Sequence, residues 1–284
     1  MNLSCADYTF PLLHRGQALD LIRLLELDAV DIGLFGRSTH FPIGDVTAGR
    51  EVRRELDGRG LTPADVFLQI GTHPADFSVN DPDPATREAG RETFLRALEF
   101  TTRLGCRHMT GLPGVNHPAI SPESALGLAA EATAWRLETA ANAGVRYAVE
   151  AHHGSICPDP GSAAAFLRQV PGLTLTLDYG HFLCVGCSNE QVHPLLACAS
   201  HMHMRCAAHG LLQCAAAANR VDFETIAGFL REQRFQGFLC LEYVWTEWMG
   251  CNQVDNVSET ILLRDRLSAL LDAPPREREG ETTP

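Results

Sequence analysis

Residues 173–178 read Leu-Thr-Leu-Thr-Leu-Asp, a strict alternation of apolar and polar side chains that ends on a carboxylate. Successive side chains of a β-strand point to opposite faces, so the leucines share one face while Thr174, Thr176 and Asp178 share the other. The leucine face is suited to packing against helices, which leaves the second face to point into a closed sheet. The stretch therefore predicts a strand that carries Asp178 at its C-terminal end.

Similar short, β-rich runs recur along the chain and alternate with longer helical patterns. We predict strands at residues 3–8, 29–34, 65–70, 106–110, 145–151, 173–178, 201–205 and 237–242. Helical patterns occur at residues 17–27, 48–57, 84–104, 121–143, 161–169, 191–199, 222–233 and 254–271. Eight successive βα units predict an α/β fold whose parallel sheet closes into a (β/α)8 TIM barrel, typically one domain of roughly 250 residues.

The domain limits follow from the last helical pattern. We expect a single barrel domain over residues 1–271 and a disordered tail over residues 272–284, which are polar and rich in proline. A doubly wound open sheet is the alternative fold, and it usually carries a Gly-rich phosphate-binding turn after its first strand. Residues 8–11 read Tyr-Thr-Phe-Pro, which is not such a turn.

The composition narrows the possible partners and the compartment. The chain of 284 residues has a formal net charge of −12. An acidic protein repels nucleic acid phosphates and acidic lipid surfaces, so we expect no nucleic acid partner and no membrane association. No run approaches the ~20 apolar residues of a membrane span. Residues 1–15 lack the layout of a signal peptide, so we expect a cytoplasmic protein.

The cysteines do not predict a disulfide framework or a zinc cluster. Ten of them are scattered along the chain, which favours reduced thiols in a cytoplasmic protein. Cys184 and Cys187 form a Cys-x-x-Cys pair, but the second pair that a zinc site of this kind requires is missing from the sequence.

Four consecutive predicted strands each end on a side chain that can bind a metal. These side chains are Glu150, Asp178, His203 and Glu242. The C-terminal ends of barrel strands meet at one rim, where barrels of this type have their active sites. Crowding three carboxylates together without a cation costs several kcal/mol. We therefore predict one divalent ion, with Mn²⁺ expected from the oxygen-rich donor set and Mg²⁺, Co²⁺ or Zn²⁺ as alternatives.

These strand endings resemble those of the xylose isomerase-like TIM barrel superfamily. The segments concerned read YAVEAH at 147–152, LTLDYGH at 175–181, HMHMR at 201–205 and FLCLEY at 238–243. The superfamily includes ketose 3-epimerases, hydroxypyruvate isomerase, inosose dehydratase and endonuclease IV. The resemblance covers nearly the whole chain, because VDIG at 30–33 also fits it.

The resemblance implies roles for individual residues. In the family, the positions that match Glu150, Asp178, His203 and Glu242 bind one divalent ion, and in its epimerases the two glutamates also act as acid and base. The position of His181 contacts substrate oxygens. Ketose epimerases tend to carry an arginine six residues after the ligand histidine, where this chain has His209.

Further substrate-binding candidates lie near the same rim. Arg205 can bind a substrate hydroxyl or carboxylate, or it can form a salt bridge to a neighbouring carboxylate. His73 and His117 follow the third and fourth strands, where they either line the pocket or belong to ordinary loops. Trp245 follows the last strand and can stack on a sugar, but a lid or a dimer contact explains it equally well.

The expected function is a metal-dependent isomerase or epimerase of a small carbohydrate, such as a ketose, sugar acid or keto-polyol. Glu150 and Glu242 would transfer the proton next to a metal-bound carbonyl. One alternative is a lyase with the same site, for example a keto-inositol dehydratase or an enzyme that cleaves an oxidised glycoside. A DNA-repair nuclease similar to endonuclease IV is a distant alternative, and a non-catalytic sugar-acid binder is another. A homo-oligomer is compatible with all of these readings.

Overall fold

Strands and helices alternate along the chain in nearly the predicted order. The computed structural model describes residues 2–36, 40, 41, 43 and 45–272. The strands are β1 Asn2–Ala6, β2 Ala29–Phe35, β3 Thr62–Gln69, β4 His108–Gly111, β5 Arg146–Glu150, β6 Thr174–Asp178, β7 Ala199–Met204 and β8 Phe238–Leu241. The α-helices are α1 Arg15–Leu24, α2 Ala48–Asp57, α3 Pro84–Leu104, α4 Pro122–Asn142, α5 Pro160–Gln169, α6 Tyr179–Cys184, α7 Asn189–Val192, α8 Phe223–Glu232 and α9 Asn256–Asp272.

The sheet closes on itself. Each strand pairs in parallel with the next one, and β1 pairs with β8 in a register that sets Asn2 opposite Phe238 and Cys5 opposite Leu241. The predicted α/β (β/α)8 barrel is therefore confirmed, and the open doubly wound sheet is excluded. Of the predicted tail, residues 273–284 lie outside the described residues, and Asp272 is the last residue of α9.

The strand phases follow the alternation in the sequence. Leu175 and Leu177 of β6 and Met202 and Met204 of β7 belong to the buried apolar core with the helices. On the opposite face, the hydroxyl of Thr176 lies 2.6 Å from that of Thr110 across the barrel interior. Because every second residue faces inward, each strand that ends on a polar inward residue contributes that residue to the barrel mouth.

Most predicted boundaries shift by a few residues; β1, for example, ends at Ala6 and not at Tyr8. Two of the differences occur at a proline. The helix predicted at 191–199 is instead the single turn α7 followed by a 3₁₀ segment, His193–Cys198. Pro194 lacks the amide proton that a continuing α-helix needs and crowds the preceding turn. The strand predicted from residue 65 begins at Thr62 instead. Pro63 is tolerated because it is the second residue of β3, where a missing amide proton costs little. It pairs with Val30 of β2, and the register between the two strands shifts directly after this pair.

The barrel interior is unusually polar for a fold whose centre is normally filled by branched apolar side chains. Buried inward-facing groups include Ser4, Asp31, Asp65, Thr110 and His201. Among the helices of the described residues, none is both long enough and apolar enough to cross a membrane.

Candidate metal centre

The four predicted ligands converge at the C-terminal mouth of the barrel. Glu150 and Asp178 are the last residues of β5 and β6, His203 is the penultimate residue of β7, and Glu242 follows β8 directly. One donor atom of each lies within 4.8 Å of the donor atoms of the other three, and all four residues are buried. The parallel register brings them together, since it sets Asp178 directly opposite His203.

The imidazole of His203 lies between the two glutamates. Its Nδ1 atom is 2.6 Å from Glu150 Oε1 and 3.4 Å from Glu242 Oε2. The carboxylate of Asp178 is held by the backbone, because its Oδ1 accepts a hydrogen bond of 2.7 Å from the amide of Gly180 at the start of α6. Residue 180 must be small, since a Cβ there would lie 2.9 Å from the carbonyl oxygen of Leu212.

Arg205 forms buried ion pairs with two of the four ligands. Its Nε and Nη2 atoms lie 2.9 and 2.5 Å from Asp178 Oδ2, and Nη2 also contacts Glu242 Oε2. Although burial opposes the charge, Asp178 and Glu242 raise the pKa of Arg205 further above its ordinary value. The salt-bridge alternative for Arg205 is thus observed, while its contact with a substrate stays a prediction.

The two glutamates differ in their electrostatics. Burial raises the pKa of Glu242 to about 7, because the attraction of Arg205 and His203 only partly offsets the loss of water. Burial acts in the same direction on Glu150, but the charge and hydrogen bond of His203 outweigh it and lower the pKa of Glu150 to about 2. The same environment therefore favours a proton on Glu242 and a charge on Glu150.

His181 lies beside the centre, on the short helix α6 rather than in a loop. Its Nε2 atom is 3.7 Å from Asp178 Oδ2 and 4.0 Å from Glu150 Oε2. Burial lowers the pKa of His181 to about 4, so the ring is neutral at pH 7. Its ring centroid is 6.1 Å from that of Trp248, an exposed residue in the loop after β8.

The other predicted substrate residues are less closely tied to the centre. His117 is partly buried, and its Nε2 atom lies 2.8 Å from the hydroxyl of Ser78. His73 is exposed. Trp245 is exposed as well, and it is Trp248, in the same loop, that makes the aromatic contact with His181. Substrate contact by His117, His73 and Trp245 stays a prediction.

Sequence reasoning missed an aromatic wall beside the centre and a polar layer below it. The rings of Tyr8 and Phe35 have centroids 4.7 Å apart, and Phe67 packs 5.5 Å from the ring of His203. The Tyr8 hydroxyl is buried and has no hydrogen-bond partner among the described residues. Tyr8 is the last residue of the first predicted strand, which was the available signal that it belongs to the mouth.

Comparison with known families agrees with this geometry. The family described as xylose isomerase-like TIM barrel matches residues 19–266. The chain belongs to this family. Within the xylose isomerase-like barrels, the match spans seven of the eight strands described above and all four residues of the candidate centre. No curated protein was found to match the chain.

Solved structures of xylose isomerase-like barrels superpose over almost the whole chain. An L-ribulose 3-epimerase has a TM-score of 0.75 at 17% identity, covering 95% of this chain and 94% of its own. A D-psicose 3-epimerase from Clostridium cellulolyticum H10 gives 0.73 at 15% identity, with 96% and 100% covered. The 3-keto-D-glucoside 4-epimerase YcjR from E. coli gives 0.72 at 14%, with 95% and 99% covered. At these identities the likeness concerns the fold.

Proposed function

We propose that this protein is an enzyme, a divalent-metal-dependent isomerase or epimerase of a small carbohydrate. The observation that carries the proposal is the position of Glu150 and Glu242, two buried carboxylates on either side of His203 at the barrel mouth. Epimerisation or isomerisation by proton transfer removes a proton beside a carbonyl and returns one elsewhere, and two carboxylates can share these two steps. The epimerase activities of several structural neighbours support the proposal.

The donor set fits one divalent cation. Glu150, Asp178, His203 and Glu242 offer three carboxylates and one imidazole in a cluster no wider than 4.8 Å. Such a set suits Mn²⁺, which we propose as the ion, and also accepts Mg²⁺, Co²⁺ or Zn²⁺. When bound, the cation would polarise a substrate carbonyl and its adjacent hydroxyl and so acidify the C–H bond of the hydroxyl-bearing carbon.

The side chains around the cation would transfer the protons and bind the substrate. One of Glu150 and Glu242 accepts the proton from carbon, and the other returns a proton on the opposite face for epimerisation or at the neighbouring carbon for isomerisation. The neutral ring of His181, 4.0 Å from Glu150, is placed to bind a substrate hydroxyl. The hydroxyl of Tyr8, which has no hydrogen-bond partner among the described residues, and the guanidinium of Arg205 would supply further hydrogen-bond donors.

The test combines isotope labelling with two conservative variants. The Mn²⁺-loaded protein is incubated with a panel of ketoses and keto-sugars in D₂O, and products are analysed by NMR and mass spectrometry. We expect an isomeric product with deuterium at the carbon beside the carbonyl. Glu150→Gln and Glu242→Gln should each keep bound Mn²⁺ and lose roughly 10²–10⁴-fold in turnover, the usual contribution of a general base.

A matched control is Glu259→Gln. Glu259 is also buried, but it accepts a hydrogen bond of 2.8 Å from the amide of Ala216 and lies outside the centre, so this variant should keep full turnover. Turnover without deuterium would indicate a hydride shift or return of the same proton by one group, and either would overturn the division of roles between the two glutamates. A product that has lost water or a leaving group would identify a lyase that uses the same proton transfer.

A further inference from the structure

A layer of buried polar side chains, which we call the barrel floor, lies directly beneath the candidate metal centre. It consists of Ser4, Asp31, Asp65, His108, Ser200 and His201. Asp31 and Asp65 are fully buried, and His201 is 1% exposed. Ionisable groups so far from water are retained only where they are paired or bind a cation.

The two carboxylates of the barrel floor are each anchored through one oxygen. The hydroxyl of Ser4 donates to Asp31 Oδ1 at 2.6 Å, and His108 Nδ1 lies 2.6 Å from Asp65 Oδ1. The second oxygen of Asp31 faces two imidazoles. Asp31 Oδ2 is 2.5 Å from His201 Nε2 and 3.9 Å from His203 Nε2. Metal-ligating carboxylates are typically held in this way, with one oxygen fixed by a hydrogen bond and the other presented to the ion.

Asp65 Oδ2 and His203 Nε2 are buried and make no hydrogen bond within the described part of the chain. Buried polar atoms in native proteins nearly always have a partner, because burying one unsatisfied costs free energy. Since one atom is a carboxylate oxygen and the other an imidazole nitrogen, a single cation between them satisfies both.

We propose that the barrel floor holds a second cation, bound by Asp31, Asp65, His201 and His203. One donor atom from each of these residues lies within 4.8 Å of the others. Two carboxylates and two imidazoles, all shielded from water, form the closed four-coordinate set that suits a structural Zn²⁺. The site shares His203 with the barrel mouth, but the proposal does not rest on the proposed catalytic function.

His203 connects the two sites through opposite ring nitrogens. Its Nδ1 atom faces Glu150 and Glu242 at the mouth, and its Nε2 atom faces Asp31 in the barrel floor. With both sites filled, the ring would carry no N–H proton, because each of its nitrogens would face a cation. The floor ion would then help to fix the orientation of a ligand of the mouth ion.

Elemental analysis of the full-length protein, purified without chelator and then reconstituted with Zn²⁺ and Mn²⁺ before desalting, tests the proposal. We expect two equivalents of metal per chain in the unaltered protein. Asp65→Asn should lower the count to one by removing the floor ion, and Asp178→Asn should lower it to one by removing the mouth ion. Asp7→Asn is the matched control, because Asp7 is equally buried but pairs with His40 and the amide of Gly33, so it should retain both.

Cobalt substitution gives a second, spectroscopic readout of the floor site. A floor site filled by Co²⁺ should show the intense visible absorption of four-coordinate cobalt, and that absorption should persist in Asp178→Asn. If the unaltered protein held only one equivalent of metal, Asp65→Asn kept that equivalent, and the cobalt form showed no four-coordinate spectrum, the floor site would be overturned while the mouth site stayed intact. Loss of metal only in Asp65→Asn would instead contradict the proposed function.

Discussion

Replacing Arg205 by Met tests whether its guanidinium balances the negative charge of Asp178 and Glu242 when no cation is bound there. Arg205 is buried and pairs with Asp178 and Glu242, which are buried as well. Removing one partner of a buried ion pair typically costs about 3–5 kcal/mol. In a protein of this size 1 kcal/mol lowers Tm by roughly 2–4 °C, so metal-free Arg205→Met should melt roughly 6–20 °C below the unaltered protein.

The loss of stability should be smaller when the centre is loaded with Mn²⁺. The cation then compensates Asp178 and Glu242, and it no longer competes with a nearby guanidinium for the same oxygens. If about half of a ~4 kcal/mol loss is recovered, linkage requires the variant to bind the ion about 30-fold more tightly, since each 1.4 kcal/mol is tenfold in affinity.

Thermal melts with chelator and with Mn²⁺, together with calorimetric titration of the ion, measure both quantities. Arg205→Lys keeps a positive charge and should shift Mn²⁺ affinity much less than Arg205→Met. Arg103→Met is the exposed control, because Arg103 pairs with Glu99 on the surface of α3 and such pairs contribute only about 0.3–0.5 kcal/mol. An equal loss of Tm in both metal states, with unchanged Mn²⁺ affinity, would refute the reasoning.

Three further predictions concern packing and reactivity. Alkylation of the native protein at pH 8 should be confined to the partly buried Cys187 and Cys198, since burial raises the pKa of the buried thiols. Peptide mapping that finds label on most of the cysteines would contradict this prediction. Met202→Ala, which truncates a fully buried side chain between sheet and helices, should cost about 2–5 kcal/mol in urea unfolding. Gly180→Ala places a Cβ 3.0 Å from Asp178 Oδ1 and should cost about 1–3 kcal/mol in stability. The same change should weaken Mn²⁺ binding in titrations. An unchanged Mn²⁺ affinity would show that the hydrogen bond from residue 180 to Asp178 is unimportant for the site.

The strands, and which of their side chains face into the barrel, could be predicted because both follow from the alternation of apolar and polar residues in the local sequence. The leucines of residues 173–178 identify one buried face, and that assignment alone directs Asp178 inward. The same reasoning applied to His203 predicted the ligand cluster, because parallel strands of a barrel bring their C-terminal ends to one rim. Local sequence is less informative at Pro63 and Pro194, where tertiary pairing decided whether the proline starts a strand or ends a helix.

The partners of the inward-facing side chains could not be predicted from the sequence. Asp31 and His201 are 170 positions apart and lie 2.5 Å from each other, and nothing in either local pattern identifies the other. Arg205 raised the same difficulty, because alternation places it inward but does not show which carboxylates it contacts. Strand phase gives the face of a residue, whereas its neighbours across the barrel depend on register and on the tilt of every strand.

Access to water separates the two polar layers of this barrel. At the mouth, the exposed Trp248 lies beside His181, so the candidate centre adjoins a solvent-exposed loop, although Glu150 and Glu242 are themselves buried. In the barrel floor, Asp31 and Asp65 are fully buried, and no substrate can enter. Under the proposed function, groups at the mouth exchange protons with a substrate, whereas the proposed role of the floor is only to hold its ion. His203 belongs to both layers, which is why its two ring nitrogens face different partners.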